Sequence, residues 1–456
     1  MRTAYIGERR SYFEGSGQRC TVKYVGTIPP WGSSVALGVE WDDPSRGRND
    51  GVLDGVSYFN CCVPGTGSFI KADREDERKQ TLHEALSETY LVLEDETLTS
   101  FSKSKSAEMY GFHKTHAIQQ KIDKLETISV MGCRISSLDT TYNLDFMHSL
   151  ELNDNLLEDF GTILKQISRF SSLRVLTLNG NRMIYNNDSE EVNSGIRELN
   201  MANTMINDEQ VSCVIKAFPK LEVLNLAANL LTRYPENIPT SLRTLDLSNN
   251  KIHTVDLSKS SHALSNLTLT DNPIQNFVHQ EAKVPTHLDL RGSLFNWSLV
   301  SYLGESSCTH LSLMHSENAL EYRSYAIARC PNVTVLDGTK ISAEERWNAE
   351  IYTLQSVVQK KHPLLPQHIW NSLTIKYGAP VAPPSASIRS RLIRFYVDND
   401  SNPMRIVRDA PVYRLYMLIS RVKNISLKSL RLKGIEKDDI ALVSDFIEEN
   451  DIVYTI

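Results

Sequence analysis

The chain reads as a multidomain protein: a small all-β domain, an α/β repeat solenoid with a C-terminal cap, and a β-grasp domain. Three observations carry that reading. The first 72 residues hold 11 of the 21 glycines. From about Leu125 the pattern L-x-x-L-x-L-x-x-N recurs nine times, with copies starting 21 to 26 residues apart. A proline-rich break at 378–387 then precedes a segment patterned strand, strand, helix, strand. At roughly 100–200 residues per domain, 456 residues predict two to four domains.

The opening segment is glycine-dense, β-branched and turn-rich, the composition of a small β domain over residues 1–76. Residues 77–120 are charged and nearly free of glycine, and predict a partly helical, mostly solvated connector. The repeats and their cap are expected over 121–360. A linker with a proline-rich end follows at 361–387, and the last domain at 388–456.

Each repeat justifies itself physically. In Met147-Leu150-Leu152-Asn155 the L-x-L segment is a short strand, so its leucines point one way and the residue between them the other. One repeat buries too little alone. Stacked neighbours bury a continuous core and align their strands in a parallel sheet. The terminal Asn, present in five of nine copies, satisfies backbone groups in the turn after the strand. Past the weak ninth copy, Pro331–Gly338 and a charged helical pattern from Ser342 to Tyr352 predict the polar end that a stack requires. In the last domain, Leu392–Val397 and Met404–Arg408 alternate as strands. Val412–Val422 has helical spacing, with Leu415, Leu418, Ile419 and Val422 on one face.

Composition excludes several classes. Hydrophobic residues make up 41% and charged residues 23%, values of a folded chain. No run of eighteen apolar residues exists, so no spanning helix and no membrane partner are expected. Glu8, Arg9 and Arg10 sit where a secretory signal would need an apolar core, which predicts a cytosolic protein. Seven scattered cysteines are expected to be reduced. A net charge of −6 argues against nucleic acid. The sequence has no phosphate-cradling loop, no His-Glu-x-x-His and no nucleophile elbow, so neither catalysis, cofactor nor metal is expected.

Three segments of the first domain belong together: Val25-Gly26-Thr27; Gly38–Asp43 leading into Gly47-Arg48-Asn49-Asp50-Gly51; and Tyr58–Cys61 leading into Gly67–Lys71. They resemble the CAP-Gly domain, whose hallmark is Gly-Lys-Asn-Asp-Gly; here Arg48 replaces the Lys and keeps its charge. The resemblance implies recognition of acidic C-terminal tails ending in an aromatic residue, as on α-tubulin. The residue chemistry fits such a ligand. Arg48 and Lys71 supply charge, Asn49 hydrogen-bonds near the terminal carboxylate, and Gly47 and Gly51 allow close approach. Phe69 and Trp31 offer an apolar wall. Many relatives place an aromatic just before the Gly-Val pair, where this chain has Val35-Ala36-Leu37. Trp41, Tyr58 and Phe59 are expected in the core.

Between the paired leucines stand Ser129, Glu151, Thr177, Asn200, Asn225, Asp246, Thr268, Asp289 and Ser312, all polar and none basic. Residues 73–387 carry 29 Lys/Arg against 38 Asp/Glu, a net of −9. The concave face, with Glu151, Asn200, Asn225, Asp246 and Asp289, therefore suits a folded partner with basic surface, though any single residue serves equally as a solvated strand position.

The repeats resemble leucine-rich repeats. The last domain resembles a ubiquitin-like domain without the Gly-Gly tail of conjugation, which makes it a docking module. This order of modules is similar to the tubulin-folding-cofactor family. That resemblance implies a non-enzymatic cytoplasmic, cytoskeletal chaperone that binds α-tubulin and meets a β-tubulin complex with cofactor D. It further implies work with cofactors B and C to assemble or dissociate the αβ heterodimer, and contact with the proteasome through the ubiquitin-like domain. Two alternatives remain open at this point: a microtubule-binding CAP-Gly adaptor and a ubiquitin-pathway scaffold.

Overall fold

The computed structural model describes residues 4–12, 18–91, 120–185, 192–259, 263–278, 284–293, 303, 306–313, 319–359, 364–380, 391–398, 400–436, 441–448 and 450–456. Most of the expected connector (92–119), the proline-rich stretch 381–387 and Ser316 of the ninth repeat lie outside them. The chain forms two compact units, Met1–Thr353 with Pro363–Leu373, and Leu354–His362 with Thr374–Ile456.

In the first unit, β1 (Arg9–Tyr12), β2 (Gln18–Thr27), β3 (Val35–Trp41) and β4 (Gly67–Lys71) form an antiparallel sheet in that order. Alternation puts Tyr12, Cys20, Val22, Leu37, Val39, Trp41 and Ile70 into one core. A bulge between Val22 and Tyr24 shifts the register of β2 against β3. Tyr24, Tyr58, Phe59 and Phe69 pack edge to face, with centroids 5.3–6.5 Å apart.

The start of the expected connector is instead core. Helix α1 (Leu82–Leu91) buries Leu82, Ala85, Leu86 and Tyr90 with the repeat leucines. Its apolar residues recur at helical spacing beneath a charged face, which makes it the N-terminal cover of the stack. The Tyr90 hydroxyl accepts from the Ser129 N–H at 2.9 Å and donates to the Ser129 carbonyl at 3.1 Å, so a side chain satisfies the first strand's edge.

The nine repeat strands are β5 (Thr127–Ser129), β6 (Ser149–Glu151), β7 (Val175–Thr177), β8 (Glu198–Asn200), β9 (Val223–Asn225), β10 (Thr244–Asp246), β11 (Asn266–Thr268), β12 (His287–Asp289) and β13 (His310–Ser312). They pair in parallel and in register, with Ile128, Leu150, Leu176, Leu199, Leu224, Leu245, Leu267, Leu288 and Leu311 forming one row, none more than 2% exposed. Each buried leucine contributes about 1.5–3 kcal/mol.

The buried asparagines link the turns. The amide of Asn229 donates to the Leu226 carbonyl of its own repeat at 3.0 Å and to Met201 of the preceding one at 2.8 Å. Its oxygen accepts the Thr204 and Ile206 N–H groups. Asn155, Asn181, Asn250 and Asn272 donate in the same way. The expected turn role is therefore also an inter-repeat one.

The far end closes with the hairpin β14 (Val335–Leu336) and β15 (Thr339–Lys340). Helix α2 (Ala319–Arg329) and helix α3 (Ala343–Val358) flank it, tied by Arg323 to Glu345 at 2.6 Å. The expected linker also needs correction, because Gln367–Tyr377 is a helix, α4, that buries Ile369 and Leu373. Pro366 marks its start, accepting from the Trp370 N–H.

In the second unit, β16 (Leu392–Val397) lies between β17 (Met404–Val407), antiparallel, and β18 (Asp451–Val453), parallel. Helix α5 (Val412–Lys423) ends at Asn424, which adopts φ +56°. The helix buries Val412, Leu415, Tyr416 and Ile419. Val422, expected on that face, is 58% exposed, because the buried stripe runs i, i+3, i+4, i+7 from Val412. No helix among the described residues is long and apolar enough to cross a membrane.

Candidate peptide-binding groove and repeat face

A groove of about 640 Å³ opens on the first domain. The Gly47–Gly51 loop forms one wall, and its backbone is pinned from behind. The Arg48 and Asn49 N–H groups donate to the Gly67 carbonyl at 2.8 and 3.1 Å, and the Gly67 N–H donates to Asn49 at 2.7 Å. The Asn49 side-chain oxygen accepts from the Gly51 N–H at 2.9 Å.

The two motif glycines serve this packing. A Cβ on Gly47 would sit 1.8 Å from the Gly65 carbonyl oxygen. One on Gly51, at φ +88°, would sit 2.1 Å from the Phe59 carbonyl oxygen. Gly47 still lines the groove, whereas Gly51 is buried and does not.

Of the residues expected to meet a ligand, Trp31, Gly47, Arg48, Asn49 and Phe69 converge on this groove. Arg48 is exposed and Trp31 half-buried. Phe69 belongs both to the groove and to the aromatic cluster. Lys71, exposed at the end of β4, is not among the lining residues.

Among the other residues lining the groove, three bear on its chemistry. Trp41, expected as core alone, is 2% exposed and yet belongs to the groove lining. The Arg46 guanidinium lies 4.8 Å from the centre of that ring, a cation–π contact. Arg74 is the third, its guanidinium 4.9 Å from the Tyr12 ring. The signal for Arg46 was its place one residue before the motif glycine; Arg74 lies three residues past Lys71 and carries no local signal. The described lining thus holds three guanidiniums, two indoles and no carboxylate.

The repeat face is built differently. Glu151, Thr177, Asn200, Asn225, Asp246, Thr268, Asp289 and Ser312 stand side by side in one register row. Several are engaged locally. Asn225 accepts the Ala227 N–H and Asp246 the Ser248 N–H, each at 2.9 Å, while Asp289 holds the Arg291 guanidinium at 2.6 Å. The Asn200 amide donates to Glu198 at 3.1 Å. Beside this row, His287 and His310 stack with centroids 4.0 Å apart, a pair the sequence reading did not single out. Among the described residues, no group of three or more His, Cys, Asp and Glu is arranged to hold a metal ion.

Residues 6–75 match the CAP-Gly domain family. The chain is 28% identical to tubulin-specific chaperone E of Danio rerio, over 92% of this chain and 90% of that protein. It is 26% identical to Protein PAC2 of Saccharomyces cerevisiae, over 82% and 78% respectively. Among solved structures it is similar to the leucine-rich repeat domain of APL1B, with 19% identity, a TM-score of 0.32, and coverage of 46% of this chain and 60% of that one. The chain has a CAP-Gly domain at its amino end and is similar, over most of its length, to the tubulin-specific chaperone E proteins.

Proposed function

We propose that this protein is a tubulin-folding chaperone whose CAP-Gly groove grips the acidic, aromatic-ended tail of α-tubulin. The observation that carries this reading is the groove lining, which among the described residues holds three guanidiniums and two indoles and no carboxylate. A tail ending in glutamates and a ring brings opposite charge and an apolar face to that wall. Arg48 and Arg46 pair with carboxylates, favouring bidentate contact. Asn49 offers its amide nitrogen to the terminal carboxylate, and Trp31, Trp41 and Phe69 take the ring. The acid-leaning repeat face, at Glu151, Asn200, Asn225, Asp246 and Asp289, contacts the folded body of tubulin. Two linked modest contacts raise avidity through effective concentration.

The similarity to tubulin-specific chaperone E supports cytoplasmic work alongside other tubulin cofactors, a β-tubulin complex with cofactor D among them, in assembly or dissociation of the heterodimer. Residues 388–456 act as a ubiquitin-like docking module of β-grasp type; the antiparallel β16–β17 pair, the helix and the parallel β18 support that assignment. In this reading the role is not enzymatic. Capture of α-tubulin by the full chain tests it: Asn49→Ala and removal of the tubulin tail should each weaken capture in dilute solution. Undiminished capture in both arms would refute the tail grip.

A further inference from the structure

All residues lining the groove belong to the CAP-Gly domain, but one contact that holds its wall comes from the repeats. Arg182 stands in the turn after β7, in the repeats, and is 9% exposed. Its guanidinium donates to the Trp41 carbonyl at 3.2 Å and to the Asp42 carbonyl at 3.1 Å. Its Nε lies 3.3 Å from the Asp42 carboxylate. All three contacts fall on two consecutive residues of the CAP-Gly domain.

Those two residues lead directly into the groove. Trp41 is part of its wall. From Asp42 the chain enters a short turn, in which Asp43 accepts from the Ser45 N–H at 2.9 Å and Gly47 donates to Pro44 at 3.3 Å. The turn delivers Arg46, Gly47 and Arg48. One guanidinium from the repeats therefore holds the root of the segment that carries most of the cationic wall.

The surrounding contacts keep that root in place. Asp42 also receives both terminal nitrogens of the fully buried Arg9, at 2.7 and 2.5 Å. Arg19 reaches across to Asp154 of the second repeat at 2.6 Å. Glu158, also from the repeats, accepts the Arg9 backbone N–H at 2.9 Å and the Lys79 ammonium at 2.6 Å.

Resting on the tail-binding reading above, we infer that Arg182 is a positioning residue for the acidic-peptide groove, so that the groove is in its binding form only when the CAP-Gly domain is docked on the repeats. Removing Arg182 frees the Trp41 and Asp42 carbonyls and lets the 41–48 segment sample other conformations. Binding then has to order that segment again, and affinity falls. A lysine keeps the charge but reaches one acceptor where the planar fork reaches two.

The test uses the full chain and a glutamate-rich peptide ending in tyrosine with a free carboxylate. Arg182→Ala should raise the peptide Kd about tenfold, and Arg182→Lys by less. Indole NMR of the unbound protein should show the Trp41 signal shifted or broadened in Arg182→Ala. Asn272→Ala, which weakens the repeats away from this junction, should leave both the Kd and the Trp41 signal unchanged, separating positioning from stability. Wild-type affinity with an unmoved Trp41 signal in Arg182→Ala overturns the inference and leaves the tail-binding reading standing. An equal loss in Asn272→Ala and Arg182→Ala also overturns it. Failure of the unmodified chain to bind the peptide overturns the reading itself and the inference with it.

Discussion

The groove and the repeat face are both polar surfaces, but they hold their charge for different purposes. In the groove, Arg46, Arg48 and Arg74 line a concavity with Trp31 and Trp41, and the described lining has no carboxylate. On the repeat face, Asn225 and Asp246 accept N–H groups two residues on, and Asp289 holds Arg291. The first arrangement places positive charge around a concavity that a ligand can fill. The second spends much of its charge on the turns that follow the strands, and a polar row in a repeat is therefore weaker evidence of recognition than a basic notch framed by backbone.

The largest expected effect comes from the notch's frame. Gly47→Val would push side-chain carbons into the Gly65 carbonyl and should abolish peptide binding, read by titration, while the repeats still melt as a folded unit. Next is the junction. Asp42→Asn leaves the buried Arg9 without its counter-charge and should cost about 3–5 kcal/mol in chemical denaturation.

That loss carries a pH signature. Burial raises the Asp42 pKa, but Arg9, Arg182 and Arg19 outweigh it and hold the carboxylate below its ordinary 3.8. The stabilisation is thus fully present above pH 3.8 and is lost as pH falls through the lower folded value. The stability gap between the unmodified protein and Asp42→Asn should stay constant from neutral pH to about 5 and narrow only below 3.8.

Asn229→Ala should cost about 2–3 kcal/mol, because it strands the Met201 and Leu226 carbonyls and two N–H groups in the interior. Peptide affinity should not change, which would show that the two regions break separately. Arg48→Ala should weaken the peptide about tenfold and flatten the salt dependence, measured across an ionic-strength series. The smallest effect is on the face. Asp246→Asn keeps the acceptor for Ser248 and should alter stability by less than about 0.5 kcal/mol. A marked loss of tubulin capture in that variant would show that the face recognises its partner through charge.

Local patterns account for what the sequence made legible. Leucine spacing is a property of neighbouring residues, so the nine strands, their parallel sheet and the turn role of the terminal Asn were readable from the sequence; the inter-repeat bonds of that Asn were not. The Gly47–Gly51 motif, Arg48, Asn49, Trp31 and Phe69 were readable for the same reason. The rest depends on contacts between distant residues. Arg182 meets Asp42 from 140 positions away. Helix α1 looked like a solvated connector because four buried residues are hidden among charged ones, and only the stack supplies their partner. Trp41 reads as core from its strand position, and only the fold shows that it also belongs to the groove lining.

Titration of the full chain with the tyrosine-ended acidic peptide at low ionic strength tests the central claim most directly. The account predicts a saturable one-to-one signal that weakens as salt rises and disappears when the terminal tyrosine is removed. No saturable signal, or one indifferent to both salt and the ring, would contradict it.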